Sequence, residues 1–90
     1  MSQAPIAIAG PMNMATARAL LERGAAALAA GESEFDLSGV DEADSAGLAV
    51  LFGWQRAAAA HGRSLRVRHL PASLVSLAEV YGVAELLPRS

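Results

Sequence analysis

Three short segments of the chain have the pattern of β-strands, and stretches long enough to form helices separate them. Residues 6–9 form an apolar run closed by Gly10 and Pro11, which is typical of a short edge strand. Residues 35–38 and 65–69 alternate apolar and polar side chains with a period of two. Because strands separated by helices of this length need crossover connections, the order of elements predicts an α/β protein with a largely parallel sheet.

Helical spacing defines three helices in the remaining stretches. The first is predicted over residues 14–30, with Asn13 as its cap and Gly31 as its stop, and the central helix over residues 44–61. The final helix has Pro71 in its first turn and ends at Gly82. The residues that recur at helical spacing in the first helix are Ala17, Leu20, Leu21, Gly24 and Leu28, and those in the central helix are Leu48, Leu51, Phe52 and Gln55. In the final helix, the predicted buried face consists of Leu74, Leu77, Ala78 and Tyr81.

The composition fits a single domain over residues 1–90 whose helices pack closely through small side chains. The chain is 53% hydrophobic but only 4% aromatic, and much of the hydrophobic fraction is alanine. It has no cysteine, so disulfides and thiolate metal sites are excluded. Seven scattered basic residues and a net charge of −2 argue against nucleic-acid binding. No secretory signal or membrane-spanning run is predicted, so a soluble cytoplasmic protein is expected.

The most informative segment is the junction between the second predicted strand and the central helix. There the run Asp44-Ser45-Ala46-Gly47-Leu48 places a carboxylate, a hydroxyl and a glycine at a helix start. Free backbone N–H groups and the helix dipole favour a negative group at this point, such as a phosphate or a carboxylate of a partner. The simpler interpretation is that Asp44 or Ser45 caps the helix and Gly47 allows close packing.

An enzymatic interpretation of the same junction is a small hydrolase that uses the acidic residues Asp41, Glu42 and Asp44. These carboxylates have no neighbouring His or Cys in the sequence to complete a metal set or a nucleophile–base pair. His61 and His69 are better explained as structural residues at the ends of a helix and a strand. No catalytic residue, cofactor or metal ligand is therefore predicted.

The central helix also carries a pair of aromatic residues that cannot both be buried. Phe52 and Trp54 lie about 180° apart on a helix, so one of them is expected at a surface or a partner. Gly53 between them predicts close approach of another element, of which the first helix is one candidate. Arg63, Arg66 and Arg68 surround the third strand, as a solvated face or as a specific anion site.

These residues resemble a known family. Several segments are similar to the STAS domain: residues 35–40 and 44–48, Leu51-Phe52-Gly53-Trp54, Gly62-Arg63-Ser64-Leu65, and the tail formed by residues 77–83 and 86–88. The tail, with Leu86-Leu87-Pro88, is most similar to the MlaB-type branch, the small STAS subunits of bacterial phospholipid-transporting ABC complexes. The resemblance implies a small, mostly parallel sheet with helices packed mainly on one face, and a first strand that is cut short here because only five residues precede Ile6.

The resemblance also implies a function and a partner. A subunit of this branch is expected to bind and regulate or stabilise the ATPase of the transporter, which also contains a permease and a substrate-binding protein. It would lie in the cytoplasm at the inner membrane, held there by its partner without inserting into the bilayer itself. The residues expected at the contact are Asp44, Ser45, Ala46, Gly47, Leu48, Leu51 and Phe52. A homodimer formed through the central helix in the absence of the partner is an open alternative.

The other branch of the family supplies the second hypothesis. Anti-sigma factor antagonists bind a serine kinase that acts as an anti-sigma factor, and the kinase phosphorylates a serine directly before the glycine. The matching residue here is Ala46, which has no hydroxyl, whereas Ser45 lies one position earlier. The resemblance to the transporter branch implies that Ser45 matches a threonine that matters for engaging the ATPase, and phosphorylation of Ser45 is left open.

Overall fold

The computed structural model describes residues 4–88, and its elements follow the predicted order. They are β1 (Ile6–Ala9), α1 (Ala17–Ala29), β2 (Glu34–Gly39), α2 (Ser45–Ala60), β3 (Arg66–Arg68), α3 (Ala72–Val80) and a short 3₁₀ turn (Ala84–Leu86). The three strands form one parallel sheet in the order β1-β2-β3, so β1 is an edge strand as predicted. None of the helices within residues 4–88 has the length and apolar character needed to cross a bilayer.

The alternation of side chains along the strands divides the sheet into a covered and an open face. Phe35 and Leu37 of β2 and Val67 of β3 are buried with the apolar sides of the helices in one core. Asp36 and Arg68, at the intervening positions, lie on the opposite face. The helices therefore cover one face of the sheet, which confirms the predicted fold class.

The centre of the core is the indole of Trp54 on α2, which is fully buried. Its Nε1 donates a hydrogen bond of 2.9 Å to the backbone carbonyl of Leu20 on α1. Its ring meets Phe35 edge to face, with centroids 4.9 Å apart and an interplanar angle of 82°. The indole reaches the α1 backbone because Gly24 has no side chain, and a Cβ at that position would overlap the ring.

The predictions for the residues around Trp54 are confirmed. Phe52 is only partly buried, so the two aromatic residues do point in different directions. Gly53 packs against α1, because a Cβ there would collide with the Leu21 side chain. Facing glycines on α1 and α2 thus bring the two helices close together.

Two predictions about helix ends are wrong. α1 begins at Ala17 and not at Met14, because Asn13 accepts hydrogen bonds from the N–H groups of Ala15 and Thr16 and closes a separate turn. Tyr81 does not belong to the buried face of α3 but is 58% exposed at its end. The chain turns back at Gly82, which has a φ of +73°, and Leu87 is buried instead.

Gly24→Ala tests the importance of the close contact between α1 and α2. Helix propensity alone predicts a gain of about 1 kcal/mol from replacing a helical glycine by alanine. We expect the opposite, a loss of about 1–3 kcal/mol, because the new methyl group must displace the Trp54 indole. Urea denaturation followed by far-UV circular dichroism shows whether the free energy of unfolding falls or rises.

Ala25→Gly is the matched control, since Ala25 is exposed on the same helix. It should cost only the propensity difference of about 1 kcal/mol. A Gly24→Ala variant that is as stable as the wild type, or more stable, would show that the indole does not depend on this glycine.

Candidate functional site

The candidate site lies where the carboxyl ends of the parallel strands meet. Since all three strands run in one direction, the loops over residues 10–16, 40–44 and 69–71 emerge at the same edge of the sheet. Two of these loops are tied together at Met12, whose N–H donates to the Glu42 carbonyl over 2.9 Å and whose carbonyl accepts from the Asp44 N–H over 3.1 Å. Met12 is completely buried, so this pairing fixes the point at which α2 begins.

Asp44 is the N-cap of α2, which confirms the capping interpretation of the junction. Its backbone is extended, with φ −124° and ψ −166°, and its carboxylate accepts a hydrogen bond of 2.8 Å from the Ala46 N–H. Ser45 is the first residue of the helix, and both Asp44 and Ser45 are exposed. The helix start thus presents a carboxylate and a hydroxyl side by side to solvent.

The other predicted contact residues are divided between the surface and the interior. Ala46 and Phe52 are partly buried and keep some exposed area. Leu48 and Leu51 lie in the core, and Leu51 has no exposed surface, because α2 is covered by α1 on one side and by α3 on the other. These two leucines hold α2 in place and do not belong to the surface of this chain.

Gly47 is also an internal residue. A Cβ at this position would lie 3.0 Å from Leu74 Cδ2 and 3.3 Å from both Met12 Cβ and the Met12 carbonyl oxygen. The glycine therefore allows α2 to start directly beside the β1–α1 loop and α3. This packing, which the simpler interpretation of Gly47 expected, orients Ser45 at the surface; the contact of Gly47 with a partner stays a prediction.

Met14 is a surface feature of this edge that sequence patterns did not reveal. It is 85% exposed in the turn between β1 and α1. The turn is stiff, because Asn13 Oδ1 accepts from the N–H groups of Ala15 (2.9 Å) and Thr16 (3.2 Å), and the Thr16 hydroxyl donates to the Pro11 carbonyl (2.8 Å). The Asn-x-x-Thr spacing of Asn13 and Thr16 is the sequence signal for this turn. The same residues also fit the start of a helix, which is why the pattern predicts a helix from residue 14.

The strand-end histidine anchors the β3–α3 loop. His69 has a left-handed backbone, with a φ of +57°, and its Nδ1 lies 3.1 Å from Asp36 Oδ1 on β2. The backbone N–H of Ser38 donates to the same carboxylate oxygen over 2.8 Å. Hydrogen bonds from the Ser38 backbone and hydroxyl, and then from His69, lower the pKa of Asp36 below its usual value of 3.8. These groups hold two strand ends together, as expected for a structural histidine.

The three arginines near β3 have different environments. Arg68 Nε lies 2.7 Å from Glu34 Oε2 in an ion pair across the open face, and Arg66 is exposed. Arg63 is partly buried, and its Nε and Nη2 have no hydrogen-bond partner among the described residues.

No three His, Cys, Asp or Glu side chains between residues 4 and 88 are grouped closely enough to hold a metal ion. This edge of the sheet thus carries an exposed polar tip, Asp44 and Ser45, and an exposed apolar side chain, Met14.

Asp44→Ala should destabilise the fold by about 1 kcal/mol, because it leaves the first N–H groups of α2 without their cap. Asp44→Asn should stay within a few tenths of a kcal/mol of the wild type, since the amide oxygen can accept the same hydrogen bond. Urea denaturation of both variants measures the difference. Equal loss in the two would show that the charge, and not the cap, stabilises the helix.

Asp36→Asn tests the anchor at His69 through its pH dependence. Because the folded-state pKa of Asp36 lies below 3.8, its carboxylate stabilises the fold above that pH, and this contribution is lost as the pH falls through the folded-state pKa. The variant should be less stable than the wild type at neutral pH, and the difference should shrink below about pH 4. Urea midpoints from neutral pH to about pH 2.5 measure it, and a difference that stays constant with pH would exclude the carboxylate as the cause.

Comparison with known proteins places this architecture in a family. A family model described as "Mlab, STAS domain" matches residues 2–88. Among solved structures, the anti-sigma factor antagonist SpoIIAA in its unphosphorylated form is similar, with a TM-score of 0.61, 12% sequence identity, and coverage of 88% of this chain and 77% of that chain. At this identity the likeness concerns the fold. A sequence comparison with curated proteins finds no match. The chain belongs to the STAS domain family, and the family model that matches it is the MlaB-type one.

Proposed function

We propose that this chain is a non-catalytic subunit that binds the ATPase of an ABC-type phospholipid transport system and regulates or stabilises it. The ATPase belongs to a complex with a permease and a substrate-binding protein, and the chain lies in the cytoplasm at the inner membrane through this partner. The MlaB-type description of the family supports this assignment. The observation that carries it is the exposed Asp44–Ser45 tip at the start of α2.

The construction of the tip favours protein binding. Because Met12 ties two loops together and Gly47 seats α2 against Met12 and Leu74, the tip is held rigidly before a partner arrives. A rigid surface loses little conformational entropy on binding. Met14 and the exposed part of Phe52 add apolar area, and an apolar centre with polar neighbours is the usual anatomy of an interface.

The carboxylates at this edge stabilise the fold through hydrogen bonds within the chain, which fits a binding role better than catalysis. The Asp44 carboxylate caps α2, and the Asp36 carboxylate is bound by Ser38 and His69. A general base or nucleophile needs a partner within hydrogen-bond reach that activates it for a substrate. Both carboxylates here are occupied by the chain's own backbone or loops.

The alternative is an anti-sigma factor antagonist that binds a serine kinase. The residue before Gly47 is Ala46, which has no hydroxyl to accept a phosphate. Ser45 would have to take that role, and a phosphate on it would add about −1.5 to −2 charges beside Asp44. Testing both partners in one assay distinguishes the two functions.

Ser45→Asp should weaken binding to the ATPase by about tenfold, because it places a second carboxylate beside Asp44 at a surface packed by the partner. The fold should be retained, since an acidic residue in the first turn of a helix is favoured by the helix dipole. Isothermal titration calorimetry with the purified ATPase encoded beside a permease of the same genome measures the affinity, and thermal unfolding checks the fold.

Ser64→Asp is the matched control, because Ser64 is exposed before β3, at the opposite edge of the sheet. It should bind like the wild type. If Ser45→Asp also binds like the wild type, Ser45 is not at the contact. If the wild type binds a serine kinase of the anti-sigma type and not the ATPase, the chain belongs to signalling.

A further inference from the structure

The end of α3 carries an apolar surface that the proposed contact at Ser45 does not use. Four large apolar side chains are strongly exposed within residues 4–88, and three of them lie between residues 80 and 86. Val80 is 78% exposed, and Tyr81 and Leu86 are each 58% exposed. We call these three residues the C-terminal patch. Grouped exposure of this kind on a small domain typically marks an interaction site.

Backbone and side-chain hydrogen bonds hold the C-terminal patch in a fixed shape. Val83 N–H donates to the Ala78 carbonyl over 2.8 Å, which closes the end of α3 behind Tyr81. Gln55 on α2 donates from Nε2 to the Leu86 carbonyl over 3.0 Å, which ties the 3₁₀ turn to the body of the domain. The patch is therefore presented by ordered backbone, and its side chains are available without rearrangement.

The charge of the segment that carries the C-terminal patch indicates the kind of partner. Residues 72–88 contain two acidic residues, Glu79 and Glu85, both exposed, and no Lys, Arg or His; Arg89 follows outside the described residues. In a two-fold dimer through this patch, the same carboxylates would face each other. An anionic lipid surface would be repelled by them as well. A protein segment with an apolar side chain beside Lys or Arg fits, and a cation can also stack on the Tyr81 ring.

The position of the C-terminal patch makes it separate from the tip at Ser45. Leu74, in the first turns of α3, packs beside Gly47, whereas Val80 closes the other end of the helix. At about 1.5 Å per residue, the nine residues of α3 span roughly 13 Å. A partner that covers both surfaces would hold the domain at two points.

We propose that the C-terminal patch is a second docking surface, which receives an apolar side chain flanked by basic residues from the same ATPase. The identity of this partner rests on the proposed function. The exposed apolar side chains and the exposed Glu79 and Glu85 are properties of this segment itself. Tyrosine is among the residues that most often dominate binding energy, so Tyr81 is the expected anchor.

The test uses the full chain and the purified ATPase in calorimetric titrations at low and high salt. Tyr81→Ser/Leu86→Ser should bind at least about tenfold more weakly than the wild type, with only a small fall in unfolding temperature because both residues are more than half exposed. Glu79→Lys should weaken binding about threefold or more at low salt, and less at high salt. Glu22→Lys, the same change on the exposed side of α1, should have no effect.

The possible outcomes separate this inference from the proposed function. If the wild type binds the ATPase, Ser45→Asp weakens it and both patch variants bind normally, the proposed function stands and the second surface is refuted. If the wild type does not bind the ATPase, both are refuted. Stronger binding by Glu79→Lys would refute a basic partner segment. Two further measurements on the chain alone would also refute it: self-association in sedimentation that Leu86→Ser abolishes, or binding to phosphatidylglycerol vesicles that Leu86→Ser abolishes.

Discussion

The fold depends on the contact between the Trp54 indole and the backbone of α1. The indole donates to the Leu20 carbonyl, one turn before Gly24, and it can do so only because Gly24 leaves the α1 surface bare. A domain with so few aromatic residues gains much of its core from this one ring, which also packs edge to face on Phe35 of the central strand. The Trp54 side chain thus joins α1, α2 and the sheet.

The same contact determines where the proposed binding surface lies. With α2 held against α1 through Trp54 and Gly53, and against α3 through Gly47, the helix has little freedom to slide or rotate. Its first residues are fixed relative to the sheet edge by the pairing of Met12 with the β2–α2 loop. Asp44 and Ser45 are therefore exposed at a defined place, while Leu48 and Leu51 are enclosed. A small domain of this kind supplies a stiff surface to another protein.

The two surfaces proposed for binding differ in chemistry. The tip at Asp44 and Ser45 is polar and acidic, and Met14 is exposed in another loop at the same edge, whereas the C-terminal patch is apolar and its segment carries Glu79 and Glu85. The tip lies at the start of α2, which packs against the first turns of α3, and the C-terminal patch lies at the other end of α3. Both are on ordered backbone. Two separated contacts would orient a regulatory subunit on its partner more firmly than either contact alone.

The sequence by itself determined the element order, the parallel sheet, a cap at Asp44 or Ser45 and the opposite directions of Phe52 and Trp54, because these follow from local spacing and capping chemistry. The structure decided that Asp44 is the cap. Tertiary structure decided which apolar residues are inside. Leu51 and Tyr81 both occupy apolar helical positions, yet Leu51 is enclosed between elements and Tyr81 lies outside, where the chain turns back and Leu87 fills the core. The sequence pattern predicts a helix from Met14, but Asn13 and Thr16 form a separate turn there through their own hydrogen bonds. Burial depends on which distant segment arrives at a given face, and periodicity within one element does not contain that information.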